Sequence, residues 1–385
     1  MGALGRVRSR GEFGMKAKEI LKIYRVYQKE GPGLGQFFRE GEPLMVAPSG
    51  EMEVSRGIFD LLNSPVIRRG NGILYDSVVR DYLGRLEFFV QQGKPVELVF
   101  LGFPFKCHNP TETVRRLPDL GELAFLIRLL DIDATVKQIY PPGVNFTVLA
   151  EGNVYKDLFG ASDEEVERYQ ERLKEFIAGL NAKETIFLVD LKNVYDRFPE
   201  FGLSCQEEGE RLRKNRFQES CRQEIKRLVP VMMRSLPVVE KVALKDLFAV
   251  YDYQHPSSLL TEFQRQLRSR LLYDSEELAI RYLAIQRAKK KLRVIPEVFF
   301  SKLYVSTIAR PEVYSFHPIH RRTRLFPHHG VPILGSDKVE IIFFKEVVQN
   351  PGEYTAVFCP DDPGEAPFYF LKGRQHQKDA RIGRR

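Results

Sequence analysis

The chain has 385 residues, 43% of them hydrophobic, and a net charge of +8. This length supports one large domain or two ordinary ones around a real apolar core. No run reaches the roughly 18 apolar residues of a membrane span. The cysteines at 107, 205, 221 and 359 lie far apart with no C-x-x-C, which argues against a zinc knuckle or a disulfide framework and for reduced thiols in a cytoplasmic protein.

Charge is concentrated at the two ends. Residues 1–14 carry +2 and residues 372–385 carry +5, which leaves the body near +1. High pI is therefore weak evidence for a nucleic-acid partner. Residues 1–14 have no apolar h-region, so they do not read as a secretory signal. They read as an appended leader ahead of Met15.

In chain order, residues 16–30 carry Ile20, Leu21, Tyr24 and Tyr27 at helical spacing, and Gly31-Pro32-Gly33 stops that helix. Residues 31–50 read as loop. Helices are expected over Val54–Leu62 and Leu74–Gln92. The apolar run Val96 to Phe105 reads as a buried strand ending in a loop, and Pro118-Asp119 opens a helix over Leu120–Leu130 that is apolar almost all round. Strands are expected over Ala134–Tyr140 and Val144–Ala150. Ser162 caps a strong helix over Asp163–Leu180, with Glu165 at the capping-box position. Thr185–Leu191 reads as a strand.

Residues 205–292 change to Lys, Arg, Glu and Leu at helical spacing, giving helices around 206–235, 240–251, 257–272 and 275–292. The basic run Arg287 to Arg293 reads as a solvated helix face. Strand character returns over Val298–Ile308, 312–317, 331–334, 338–347 and 354–359. This predicts an α/β chain with an α/β part at 15–204, a helical segment at 205–293, a C-terminal β-rich part at 294–371 and a basic tail at 372–385.

The motifs of the commonest enzyme classes are absent. No G-x-G-x-x-G, Walker loop, G-x-S-x-G elbow or H-E-x-x-H occurs. What stands out is the loop after the Val96 strand. It carries Lys106, Cys107, His108 and Asn109 where an open α/β sheet places its ligand. Cys107 and His108 are adjacent, so on an extended chain they point apart and form a poor catalytic couple. Lys106 reads as either a surface lysine or a functional amine. Asp119 and Glu122 read as carboxylates stabilised at a helix N-terminus, a position from which they can also face a ligand. His317, His320, His328 and His329 surround Arg321, Arg322 and Arg324. The arginines disfavour a bound metal and suit an anion.

These residues bear a resemblance. Phe103-Pro104-Phe105-Lys106-Cys107-His108-Asn109-Pro110, followed by Leu117-Pro118-Asp119-Leu120-Gly121-Glu122, is similar to an F-P-x-K-S-P-N-P … L-P-D-x-x-E block. Tyr140-Pro141-Pro142-Gly143, then Glu151 to Leu158 and Ser162-Asp163, resembles a Y-x-P-G … S-D-G-x-V-F-x-D-L … S-D block. Ser315-Phe316-His317-Pro318 resembles S-I-H-P. In order and spacing over about residues 55–335, the chain resembles the isonitrile (isocyanide) synthases of the pyoverdine/dityrosine biosynthesis group.

The resemblance implies a Rossmann-like core and an enzyme that converts the α-amine of an amino acid, tyrosine or tryptophan favoured, into an isonitrile. The carbon would come from C2 of ribulose 5-phosphate, with no organic cofactor or metal. It implies small-molecule substrates, a pathway partner that is an Fe(II)/2-oxoglutarate oxygenase, no membrane and no nucleic acid. Lys106 and His317 are expected as acid/base or carbonyl-polarising groups, and Asn109 as a hydrogen-bonder to the sugar. Asp119 or Glu122 would hold the substrate amine or hydroxyls, and Arg115, Arg116, Arg321 and Arg322 the phosphate.

Departures from the pattern fall at Cys107-His108, at Glu112 and Arg115, at Ala150-Glu151 and at Val313. A late T-P-W-H-like segment is missing. They keep open an N-formyl or other one-carbon product, or a different amino acid. A nucleic-acid-binding protein is the remoter alternative.

Overall fold

The computed structural model describes residues 50–235 and 262–372, apart from residues 66, 70–73, 107–111, 309–311, 320–322, 324, 336–338, 351 and 359–365. The helices expected over 16–30 and 240–251, nearly all of the 31–50 loop and the tail beyond Lys372 lie outside the described residues.

Among the described residues, two packed helices come first, α1 (Glu51–Leu62) and α2 (Asp76–Gln91). Acidic side chains in their first turns, Glu51 and Glu53 in α1 and Asp76 in α2, meet the positive end of each helix dipole. Their apolar stripes, Ile58, Phe59 and Leu62 on one and Tyr82, Leu86 and Phe89 on the other, are buried.

β1 (Val96–Gly102) follows and forms the spine of a parallel sheet. It pairs with β2 (Val144–Ala150) on one side and with the two-residue β4 (Leu303–Tyr304) on the other, while β3 (Ile186–Asp190) extends the sheet beyond β2. The order β3-β2-β1-β4 changes direction at β1, so a crevice opens outside the carboxyl ends of β1 and β4. This is the expected Rossmann-like α/β core.

Helix α3 (Leu120–Val136) links the two layers of the protein. One side meets β2. The other meets β5 (Val331–Leu334) and β6 (Val339–Ile342). These two strands belong to a second, mixed sheet of order β6-β5-β8-β7, completed by β7 (Tyr354–Val357) and β8 (Tyr369–Lys372). A helix covered on both sides must be apolar all round, and the run LGELAFLIRLL is.

The strand expected over Ala134–Tyr140 does not form. Residues 134–136 instead end α3, because local partners and burial outweigh the β preference of Thr135 and Val136. Thr135 Oγ1 donates to Asp131 O at 2.6 Å within the helix. Asp133 accepts from Val144 N at 2.8 Å and from Lys137 Nζ at 2.7 Å, which ties the helix end to the start of β2.

After β2, the chain forms α4 (Gly152–Phe159) and α5 (Asp163–Gly179). Ser162 and Glu165 make the expected capping box, at 3.1 and 2.9 Å. Beyond β3 come α6 (Leu191–Tyr195), α7 (Phe201–Asn215) and α8 (Glu219–Ser235). Thus 206–235 is two helices, not one. Conversely, 257–272 and 275–292 are not separate, because a single helix, α9 (Glu262–Lys291), spans them with no Gly or Pro to break it. The basic face of α9 is ion-paired: Arg287 reaches Glu224 at 2.6 Å and Lys291 reaches Glu207 at 3.2 Å.

The expected strand over 298–308 shrinks to β4, preceded by α10 (Val294–Val298). Residues 312–317 form only the bridges Ser306–Ser315 and Arg68–Phe316. The 338–347 stretch divides into β6 and α11 (Phe344–Gln349). No helix among the described residues is long and apolar enough to cross a membrane.

Gly152 holds the exits of β1 and β2 together. A Cβ there would lie 2.3 Å from the Pro104 carbonyl oxygen and 2.7 Å from Val166 Cγ1, so the backbone itself would have to move. Gly152→Ala should therefore lower stability by about 1–3 kcal/mol, read as the midpoint of urea unfolding. An unchanged midpoint would contradict this packing.

Candidate active site

The site begins where β1 ends. Phe103 has φ +49°, a left-handed conformation that is costly for a residue with a large side chain. Its ring is buried 5.0 Å from that of Phe125 on α3. The chain turns sharply there and carries Lys106 to the N-terminus of α3.

Lys106 has a fully buried side chain. Its Nζ lies 2.7 Å from Asp119 Oδ2 and 2.9 Å from Glu122 Oε2, and it donates to Pro327 O at 2.7 Å. An ammonium has three N–H donors, and here each has a partner. The two carboxyl groups also cap α3. Asp119 Oδ1 accepts from Gly121 N at 2.8 Å, and Glu122 Oε2 accepts from Asp119 N at 3.0 Å. On the other side of Glu122, the Tyr169 hydroxyl donates to Oε1 at 3.1 Å.

One ammonium thus faces two carboxyl groups with almost no access to water. Burial pushes the Asp119 carboxyl well above the usual carboxylate range. Lys106 opposes that shift, and the neighbouring Glu122 adds to it. Burial beside Glu122 also raises the Tyr169 phenol, which keeps its proton.

The segment that accepts from Lys106 is a short 3-10 turn, Pro327–His329. The His328 ring stacks on Phe326 with centroids 5.6 Å apart and planes 16° apart, and it lies 4.4 Å from the ring of His329. Burial, then His329 and Lys106, hold the pKa of His328 well below the usual imidazole value, so it is neutral. His329 Nδ1 sits 3.3 Å from Glu112 Oε2. Glu112 is itself buried and fixed through its carbonyl, which accepts from Phe344 N at 3.0 Å.

Of the residues singled out in the sequence, Lys106, Asp119 and Glu122 meet in this cluster. Arg115 is buried beside it. Its guanidinium donates to Ala366 O at 2.9 Å and lies 5.7 Å over Phe368, so it holds the approach to β8. Arg116 is half-buried in the same loop.

His317 is not part of the ion cluster. It stands at the β1/β4 crevice, where its backbone N–H donates to Ile67 O at 2.9 Å. The preceding Phe316 plugs into the core, 5.2 Å from Phe100 and 6.0 Å from Phe125. Asn109, Arg321 and Arg322 lie outside the described residues.

The structure adds Tyr169, Glu112, His328 and His329. The two histidines belong to the His-rich segment, and Glu112 is one of the departures from the family pattern. Tyr169 carries no local signal, since only the packing of α5 on α3 brings it to Glu122. Among the described residues, no three His, Cys, Asp or Glu side chains converge as a metal-ligand set.

Known proteins resemble this chain in sequence and in fold. The sequence profile described as "Pyoverdine/dityrosine biosynthesis protein" matches residues 86–266. An L-tyrosine isonitrile synthase of Xenorhabdus nematophila is 32% identical over 95 residues, which are 25% of this chain and 28% of that protein. The match therefore spans little more than a quarter of that relative. An L-tyrosine isonitrile synthase of Pseudomonas aeruginosa is 24% identical over 302 residues, 77% of this chain and 86% of that protein. The crystal structure of PvcA from Pseudomonas aeruginosa superposes with a TM-score of 0.61 at 19% identity, covering 83% of this chain and 100% of that one, and so shares the fold. Residues 86–266 of the chain thus match the pyoverdine/dityrosine biosynthesis family, and relatives that the chain resembles are named isonitrile synthases.

Proposed function

We propose that this protein is an isonitrile synthase that converts the α-amine of an amino acid, tyrosine or tryptophan favoured, with carbon from ribulose 5-phosphate. One observation carries the reading. The residues of the family-like F-P-x-K and L-P-D-x-x-E blocks come together as the buried cluster of Lys106, Asp119 and Glu122 at the carboxyl edge of the sheet. The relatives named for this activity support it.

The chemistry needs what this cluster supplies. Condensing an amine with the C2 ketone requires protons to be moved at nitrogen and oxygen. Breaking carbon–carbon bonds beside the resulting imine requires a proton donor and a stabilised anion. With one cation against two carboxyl groups, burial favours the protonated form of Asp119, and in this reading Asp119 is the cluster's acid. Lys106 has every donor engaged, so it acts by holding Asp119 and Glu122 rather than by transferring a proton itself. Neutral His328 is the nearby base, and His317 polarises the carbonyl from the crevice side. Arg116, Asn109, Arg321 and Arg322 remain contacts to the sugar phosphate in this reading. The protein works in the cytoplasm, and an Fe(II)/2-oxoglutarate oxygenase takes its product.

An N-formyl or other one-carbon product, or a different amino acid, is the second reading. It is favoured by Glu112, which is buried against His329 where the family pattern has a lysine. Incubation with ribulose 5-phosphate and a pool of amino acids, followed by mass spectrometry and infrared spectroscopy, should give one amino acid converted to a product with an isonitrile band. A one-carbon mass gain without that band would select the second reading.

The role of Lys106 is separable from that of its partners. Lys106→Met strands two buried carboxyl groups and should cost about 3–5 kcal/mol of stability. Adding Asp119→Asn and Glu122→Gln should restore most of that stability and none of the turnover. Turnover in the triple variant would remove the cluster from the mechanism.

A further inference from the structure

Building on the sugar-phosphate reading above, we propose that Arg69 carries the phosphate group of that substrate in the crevice outside the carboxyl ends of β1 and β4. The backbone of Arg69 is locked to the segment that bears His317. Its N–H donates to Ser315 O at 2.9 Å, and its carbonyl accepts from Ser315 Oγ at 2.8 Å. The guanidinium is half-buried. It donates to Thr307 O at 2.7 Å, just beyond β4, and lies 4.9 Å over the Phe326 ring.

Among the described residues Arg69 makes no ion pair. Burial lowers its pKa, and no described acidic neighbour offsets the shift. Arg213, Arg287 and Lys291 on the helical segment, by contrast, each hold a glutamate. A guanidinium has five N–H donors in a planar fork that matches a phosphate face. Here one donor goes to Thr307, and no carboxylate among the described residues takes the others.

Charge decides which substrate this cation serves. An amino acid brings its own ammonium and carboxylate and has no net charge. A sugar phosphate is close to a dianion and needs a cation that no protein carboxylate has already neutralised. Arg115 is committed to Ala366 O and Phe368.

Position fits as well. Arg69 packs on Phe326, Phe326 stacks on His328, and His328 feels the charge of Lys106. Contacts of 4.9 and 5.6 Å through Phe326 therefore link the guanidinium to the His328 ring, next to the ion cluster. An extended five-carbon phosphate ester is of comparable length, which would set its phosphate on Arg69 and its carbonyl end towards the cluster. Phe326 doubles as the spacer.

The test uses the full chain as wild type, Arg69→Gln and Arg69→Lys. Thermal unfolding checks that the fold is kept. In Arg69→Gln the KM for ribulose 5-phosphate should rise about 10- to 100-fold, the loss expected for a charged hydrogen-bond pair, while the KM for the amino acid holds. Arg69→Lys, with charge but no fork, should show a smaller rise. Inorganic phosphate should compete with the sugar phosphate in the wild type and lose that effect in Arg69→Gln. An unchanged KM, or a rise confined to the amino acid, would overturn the proposal.

Calorimetric titration with inorganic phosphate keeps the two claims apart. If the wild type binds phosphate, Arg69→Gln does not and no isonitrile forms, the site stands and the synthase reading fails. Equal phosphate binding by both proteins, or none by the wild type, sinks the site.

Discussion

A buried ammonium must have a partner for every N–H, and much of this structure is arranged around that requirement. Lys106 is fully buried, and its three partners come from two distant parts of the chain. Asp119 and Glu122 stand at the N-terminus of α3, and the Pro327 carbonyl comes from a loop more than two hundred residues later. Removing one partner of a buried charge costs several kcal/mol. The exit of β1, the start of α3 and the 3-10 turn before β5 are therefore held in one geometry. The strained turn at Phe103 is the local cost of bringing Lys106 there.

The same cluster joins fold to chemistry. The α3 carboxyl groups satisfy the helix N-terminus and face the ammonium at once. With two acids against one base, burial raises Asp119. The shift favours a protonated carboxyl group where the sheet's carboxyl edge meets the loop carrying His328. The parallel sheet supplies the crevice, and the second sheet closes α3 from the other side and brings in Pro327, His328 and His329.

Local codes were legible in the sequence. Ser162 with Glu165 is a capping box written within four residues, and it forms; Asp119 and Glu122 stand at a helix N-terminus as expected, where the structure shows that they too form a capping box. The apolar runs of β1 and β2 needed only burial to become strands. The stretch 134–140 misled because its β-branched residues are held in α3 by Asp131, Asp133 and Val144, contacts set by packing. The β-rich reading of 298–317 exaggerated short pairings made by segments that bridge rather than run. In the site, Lys106, Asp119 and Glu122 were visible through motif and position. Tyr169, the Glu112–His329 pair and the contacts from Arg69 through Phe326 to His328 were not, because each joins residues far apart in sequence. No periodicity records such a contact.

The central claim is that the Lys106 cluster holds a protonated carboxylic acid near neutral pH. Infrared spectroscopy of the wild type and Asp119→Asn, both with isotope-labelled aspartate, tests it directly. The account predicts a carbonyl stretch of a protonated aspartic acid that persists at neutral pH in the wild type and is absent from the variant. A neutral-pH spectrum with only carboxylate bands, or an acid band that survives in Asp119→Asn, would contradict it.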